Sequence, residues 1–248
     1  MTARLAHIRR HPIKSLGGEG LDSIALSAAR RLPGDREWAV LTENGERHID
    51  GEPDRWLPKS CFVRGAAALD LQAVQGGWQG DHIALTHPDR PDIQLDPATQ
   101  GAQLIAWLAP LWPADKPAPT RLVRGPGIWT DDRAPYVSIL SLTSLAALSS
   151  DLGKPLEIER WRGNLWVDGW APWAERDLIG QTIRIGPVEL RVAENIARCV
   201  VPGANPATGK QDVDMLSELS ARYGHTDFGI FAEVVSGGKI AIGDEVSI

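Results

Sequence analysis

Short strand-like runs separated by turn-rich loops recur along this 248-residue chain, and helical periodicity is rare. Runs of β character fall at 5–10, 38–42, 69–74, 82–86, 93–95, 121–124, 136–140, 157–161, 165–167, 182–185, 188–197, 228–235, 239–242 and 245–248. Three stretches carry helical spacing instead. Residues 96–112 hold Pro97 in a first turn and repeat Leu104, Ile105, Leu108 and Leu111. Residues 143–152 put Leu145, Leu148 and Leu152 on one face, with Gly153 as the stop. Asp212 or Asp214 can cap a helix running to Tyr223, with Gly224 beyond it. Strands and helices do not alternate as a βαβ sheet requires, so a mainly β fold with peripheral helices (α+β), built on a β-barrel-like core, is expected. The run 38–42 leads to Asn44-Gly45, which predicts a hairpin there. Four prolines within 110–120 mark the expected boundary between an N-terminal β-rich part, 1–115, and a second part, 120–248.

The net charge of −6 argues against nucleic acid or an anionic membrane as partner. Only Cys61 and Cys199 are present, too sparse for a disulfide framework, and both read as reduced thiols of a cytoplasmic protein. No signal peptide and no bilayer-length apolar run is seen. Glycine-rich nucleotide signatures are absent, and the six histidines are not read as a zinc site. Tryptophan is over-used: of ten, Trp161, Trp166, Trp170 and Trp173 crowd one stretch, suited to core packing or to lining a pocket.

Cys199 is the strongest chemical candidate. The run 188–193 leads to Arg198-Cys199 at the edge of a loop rich in Pro, Gly and Asn. A cationic neighbour favours the thiolate, which binds soft metals and attacks electrophiles. A lone cysteine is otherwise most often a small buried hydrophobe. Cations and small polar groups also sit at strand ends: Lys14 with Ser15, Asp35 with Arg36, Arg162 with Asn164, and Arg198. If they converge they make an anion pocket beside a thiolate; if not, each is an ordinary solvated side chain.

In order, the segments Pro12-Ile-Lys-Ser-Leu-Gly-Gly-Glu19, Gly34-Asp-Arg-Glu-Trp38, Arg162-Gly-Asn164, Val167-Asp-Gly169, Trp173-Ala-Glu175, Arg198-Cys199, Asn205-Pro-Ala-Thr-Gly209, Phe228-Gly229 and Ile242-Gly-Asp-Glu-Val246 span nearly the whole chain. This series resembles MOSC-domain proteins, named for the carboxy-terminal domain of molybdenum cofactor sulfurases. The resemblance implies a MOSC-type β-barrel at 120–248, preceded by a smaller β-rich N-terminal region, and a bound molybdenum cofactor. It also implies a catalytic role and metal ligation for Cys199, and cofactor binding by Lys14, Ser15, Arg36, Arg162, Asn164 and Arg198. The implied activity is an oxidoreductase that reduces N-hydroxylated or similar small molecules, with electrons from a separate donor protein.

Relatives commonly carry two threonines and an aspartate where this chain has Pro202, Gly203 and Asn205, and a tyrosine where it has Phe231. Cofactor binding tolerates such changes better than reductase activity does, so a non-catalytic carrier of the cofactor, or of sulfur on Cys199, stands as an alternative. A barrel kept for protein interaction is a third reading. Two cysteines are too few for an iron–sulfur cluster, and Cys61 is taken as structural.

Overall fold

The computed structural model describes residues 2–131 and 133–248. Strands β1 (Ala3–Arg10), β2 (Glu19–Leu21), β3 (Ser23–Leu26) and β4 (Trp38–Thr42) open the chain, followed by a helical turn α1 (Glu43–Glu46). A meander β5 (Gln75–Gln79), β6 (His82–His87), β7 (Arg90–Leu95) leads to helix α2 (Gly101–Leu108) and strand β8 (Pro119–Arg124). Then come β9 (Tyr136–Ser141), α3 (Leu142–Leu152), β10 (Leu165–Asp168), β11 (Thr182–Ile185) and β12 (Val188–Ala197). Helix α4 (Met215–Tyr223) precedes β13 (Asp227–Ser236), β14 (Gly238–Ala241) and β15 (Glu245–Ser247).

The architecture is mainly β with a few short helices, as the sequence implies. Seven strands close a barrel in the order β1-β10-β9-β13-β12-β11-β15, and β15 returns to β1. Alternation in the sequence makes this possible. Every second residue of β11 is buried, and Ile183 and Ile185 meet Leu5, Val137, Ile139, Leu165, Val167, Leu190, Ile230 and Ala232 in an interior closed to solvent. Closure depends on β1, which pairs Leu5 with Val167 and Ile8 with Leu165 on one side, and Ala3 with Val246 on the other.

Strand pairing crosses the proline-rich stretch in both directions. β1 enters the barrel, β14 pairs with β3, and β8 pairs with β4. The meander and α2 cover a second core that includes Leu71, Ile83, Leu95, Leu104 and Leu108.

Four local expectations are corrected. The hairpin at Asn44-Gly45 does not form, because β4 pairs with β8 about eighty residues on and 43–46 turn helically. Gly45 there lies so close to the Cys61 carbonyl that a Cβ would come within 2.5 Å. Residues 69–73 form a 3-10 turn rather than a strand, closed by Leu71 N to Ala68 O (3.2 Å) and Val74 N to Leu71 O (3.2 Å). Leu71 and Val74 reach the core at i, i+3 spacing, which the Leu-Asp-Leu-Gln alternation disguises. Residues 158–161 are likewise 3-10, because Arg160 turns inward to meet Asp212. The helix at 96–112 is shorter: 96–100 form a turn on the Asp96 carbonyl, α2 covers 101–108, and 109–111 tighten to 3-10.

Leu5→Ala should cost about 2–5 kcal/mol of folding stability in urea titrations, the usual range for a fully buried leucine. A loss under about 1 kcal/mol would mean that β1 is not part of the cooperative core.

Candidate functional site

The barrel mouth and the N-terminal loops enclose a cleft of about 590 Å³, a volume typical of small-molecule sites. Lys14, Ser15, Arg36, Arg162, Asn164, Arg198 and Cys199 all line it. Residues scattered over 185 positions of sequence therefore do converge, and the Cys199 thiol at the cleft is exposed. Cys61 is buried, with its thiol pushed up by desolvation, and it packs with Leu41, Phe62 and Trp129.

Unusual backbone delivers these groups. Among the described residues five non-glycines have left-handed φ, and three of them are Ser15 (67°), Arg36 (50°) and Arg162 (49°). Such conformations persist where the surroundings enforce them, and they gather at functional sites. At Arg36 the enforcing contacts are its N–H to His11 O (2.6 Å) and Trp129 N–H to its own carbonyl (2.8 Å). On β12, register shifts fall between Val192 and Glu194 and between Asn195 and Ala197. These bulges break strict alternation, so successive residues 194–199 all edge the cleft.

The cations are gripped mainly through main-chain oxygens. Arg162 Nη1 donates to Gly17 O (2.7 Å) and Nη2 to Leu16 O (3.3 Å), tying the barrel to the loop that carries Lys14 and Ser15. Arg198 Nε donates to Phe228 O (2.8 Å), Nη1 to Trp161 O (3.0 Å), and the guanidinium lies 5.5 Å over the Trp161 ring. Gly229, at φ 81°, makes room for this: a Cβ would come 2.8 Å from Ile139 O and 3.4 Å from Arg198 Nη2. Arg36 pairs with Asp35 and donates Nη2 to Arg162 O (2.9 Å). Lys14 Nζ donates to Trp129 O (3.0 Å) and to Asp131. Asn164 stitches three strands together, its Oδ1 accepting from Ser138 Oγ (2.8 Å) and its Nδ2 donating to Arg9 O (3.3 Å).

The electrostatics are one-sided. Eight Lys and Arg side chains line the cleft against three described carboxylates, in a chain of net charge −6. Burial and the Arg36 charge pull Arg162 down to about 9, and burial pulls Arg198 to about 9 against the opposing influence of Cys199. Burial also lowers Lys14, with Asp131 working the other way. Arg162 and Arg198 stay cationic at neutral pH, so the folded chain carries crowded, partly desolvated positive charge that an anionic ligand would relieve.

Sequence reasoning missed several cleft residues. Behind the cleft, His11 is buried against the lining residue Asp35, its N–H donating to Asp35 Oδ1 (2.7 Å) and its Nδ1 lying 3.2 Å from the same oxygen. Burial and Arg162 depress His11 to about 3. Burial would raise Asp35, but Arg36 and His11 hold it below the usual carboxylate range. His11 stands directly before the Pro12 segment, the one signal that could have marked it. Asp131, Lys59, Arg64, Gln72 and Arg160 also line the cleft, and nothing in their local sequence announces this.

Arg160 is fully buried and grips Asp212 through two bonds (2.7 and 3.0 Å), holding Asp212 below its ordinary range. This pair braces the loop that carries the unusual residues. The Pro202 carbonyl accepts from Arg160 (3.4 Å), Gly203 sits where a Cβ would come 2.5 Å from Val213 O, and Asn205 Nδ2 donates to Asp212 (3.0 Å). Phe231 stacks on Tyr136 with ring centres 5.8 Å apart, forming an apolar wall.

Residues 2–111 match the MOSC N-terminal beta barrel domain, and residues 129–247 match the MOSC domain. The chain belongs to the MOSC family. Mitochondrial amidoxime-reducing component 1 of Xenopus laevis is 25% identical to this MOSC chain, covering 95% of it and 79% of the relative. The Danio rerio protein of the same name is 24% identical, covering 80% and 68%. Among solved structures, the YUAD protein from Bacillus subtilis aligns over 99% of this chain and 94% of its own, at 16% identity and a TM-score of 0.48. Among the described residues no helix is long and apolar enough to cross a membrane.

Two outcomes test this MOSC cleft as a folded unit. An unfolded His11 takes up a proton near pH 6.5, whereas the folded one resists until about pH 3, so stability falls on acidification through that window. Asp35 adds to the fall at its acid end. His11→Gln should flatten the slope of unfolding free energy against pH by up to ~1.4 kcal/mol per pH unit, and an unaltered slope would mean that His11 titrates normally. Asp212→Ala leaves the buried Arg160 with Glu157 as its one remaining carboxylate partner among the described residues, and should cost about 1–3 kcal/mol in the same urea assay.

Proposed function

We propose that this chain is a molybdenum-cofactor-dependent reductase of N-hydroxylated or similar oxygen-bearing small molecules, with electrons supplied by a separate protein. One observation carries the reading: an exposed thiol, Cys199, shares a single cleft with the half-buried cations Arg162 and Arg198, which are held mainly by main-chain carbonyls. Membership in the MOSC family and similarity to amidoxime-reducing components support the cofactor and the substrate class.

The residues present fit such a group. Cys199 is a soft ligand for a sulfur-rich metal centre, and it is exposed at the cleft where such a group would sit. Lys14, Ser15, Arg36, Arg162 and Arg198 suit an anionic pterin tail, because guanidinium groups fork across two oxygens while lysine and serine offer point donors. Asn164 would fix the strand ends from which those groups reach.

When bound, the cofactor supplies the two-electron redox chemistry. Reduction of an amidoxime to an amidine consumes two electrons and two protons, breaks the N–O bond and releases water. The chain contributes position and field: main-chain carbonyls hold Arg162 and Arg198 before any ligand arrives, so little reorganisation is needed on binding. Trp161, Tyr136 and Phe231 line the same space and limit water beside the reacting group.

A second reading, a carrier of the cofactor or of sulfur on Cys199, is favoured by the loop of Pro202, Gly203 and Asn205, whose side chains offer no hydroxyl and no carboxylate. Molybdenum and pterin analysis of protein from a cofactor-sufficient host, followed by assay with reduced viologen and amidoximes, separates the two. Cofactor without turnover would select the carrier. Cys199→Ala should lower amidoxime turnover by more than the roughly 10–100-fold cost of losing an outer-shell partner. Its exposure keeps the stability change within about 0.5 kcal/mol. Full activity in that variant would remove the thiolate from the mechanism.

A further inference from the structure

Most cations of the cleft are already engaged. Arg162 and Arg198 are held by carbonyls, Arg36 by Asp35, Lys14 by Asp131 and Arg160 by Asp212. Arg64 differs. It is half-buried in the cleft wall, and among the described residues its side chain makes no ion pair or hydrogen bond.

Its backbone is nevertheless firmly placed. Val63 N–H donates to Val40 O (2.9 Å) on β4, and 64–68 close a tight turn through Ala67 N to Arg64 O (3.0 Å) and Ala68 N to Gly65 O (3.2 Å). Gly65 faces the loop after Cys199: a Cβ there would come 3.2 Å from Val201 Cγ2. A fixed turn packed against the loop that follows the thiol therefore carries, in the cleft wall, a guanidinium with no ionic partner among the described residues. Keeping a charged group partly out of water without a partner is unfavourable, and a planar carboxylate is the anion that a guanidinium fork pairs with best.

We propose that Arg64 binds a carboxylate on the substrate, so that this cleft prefers anionic, carboxylate-bearing N-hydroxylated molecules to neutral ones. The assignment deepens the reductase reading and rests on it for the reacting group, but not for the anion contact. Arg64 is not among the residues assigned to the cofactor's anionic tail, and its neighbour Gly65 faces Val201 in the loop after Cys199. Its place in the cleft wall favours a small ligand over an acidic patch on a partner protein.

The test is calorimetric titration of the purified protein, as isolated from a cofactor-sufficient host, with benzamidoxime and 4-carboxybenzamidoxime. Wild type should bind the acid about tenfold more tightly, Arg64→Gln should bring the ratio near one, and Arg64→Lys should restore part of it. With reduced viologen as donor, which keeps protein docking out of the assay, the KM ratio should follow the binding ratio. The proposal is overturned if wild type shows no preference for the acid, if Arg64→Gln keeps it, or if that variant weakens both ligands equally. It is also overturned if Arg64→Gln loses molybdenum and pterin, because Arg64 would then serve the cofactor. Arg64-dependent acid binding without turnover would sink the reductase reading and leave the anion contact standing.

Discussion

Closure of the barrel by its first strand is the constraint on which the rest of the molecule depends. β1 fills the gap between β10 and β15, and without it two edges would be open and the apolar interior exposed. The same strand runs directly into the loop of Lys14 and Ser15, so the register that seals the core also sets where those side chains stand. Arg162 completes the coupling from the barrel side, through its bonds to the carbonyls of that loop.

A tension between charge and burial runs through the cleft. The chain is acidic overall, yet it concentrates lysine and arginine on one concave surface, where desolvation and neighbouring positive charge pull Lys14, Arg162 and Arg198 down. Main-chain carbonyls, which satisfy guanidinium donors without cancelling the charge, are the partners that keep such a surface both folded and positive. The left-handed residues Ser15, Arg36 and Arg162 add backbone strain at the same place. Stability is spent where function needs rigidity, and barrel packing offsets the loss.

How far the sequence could be read depended on the range of the determining interaction. Strands β11, β12 and β13, the cap of α4 by Asp214 and the left-handed stop at Gly153 were legible, because alternation and capping are local signals. The turns at 69–73 and 158–161 were not. Their apolar patterns suit a strand equally well, and what decides them is Leu71 meeting a distant core and Arg160 meeting Asp212. The Asn44-Gly45 turn failed for the same reason, since β4 finds its partner at β8.

By itself, the sequence determined the fold class, through the many short alternating runs, and named the residues around which a site could form, through motif order. It could not say that those residues share one cleft, nor that Asp131 and Arg64 join them with His11 packed behind on Asp35. Convergence across 185 positions is set by barrel closure and by the loops that cross it, and no local pattern encodes a distance between residues brought together only by the packed core.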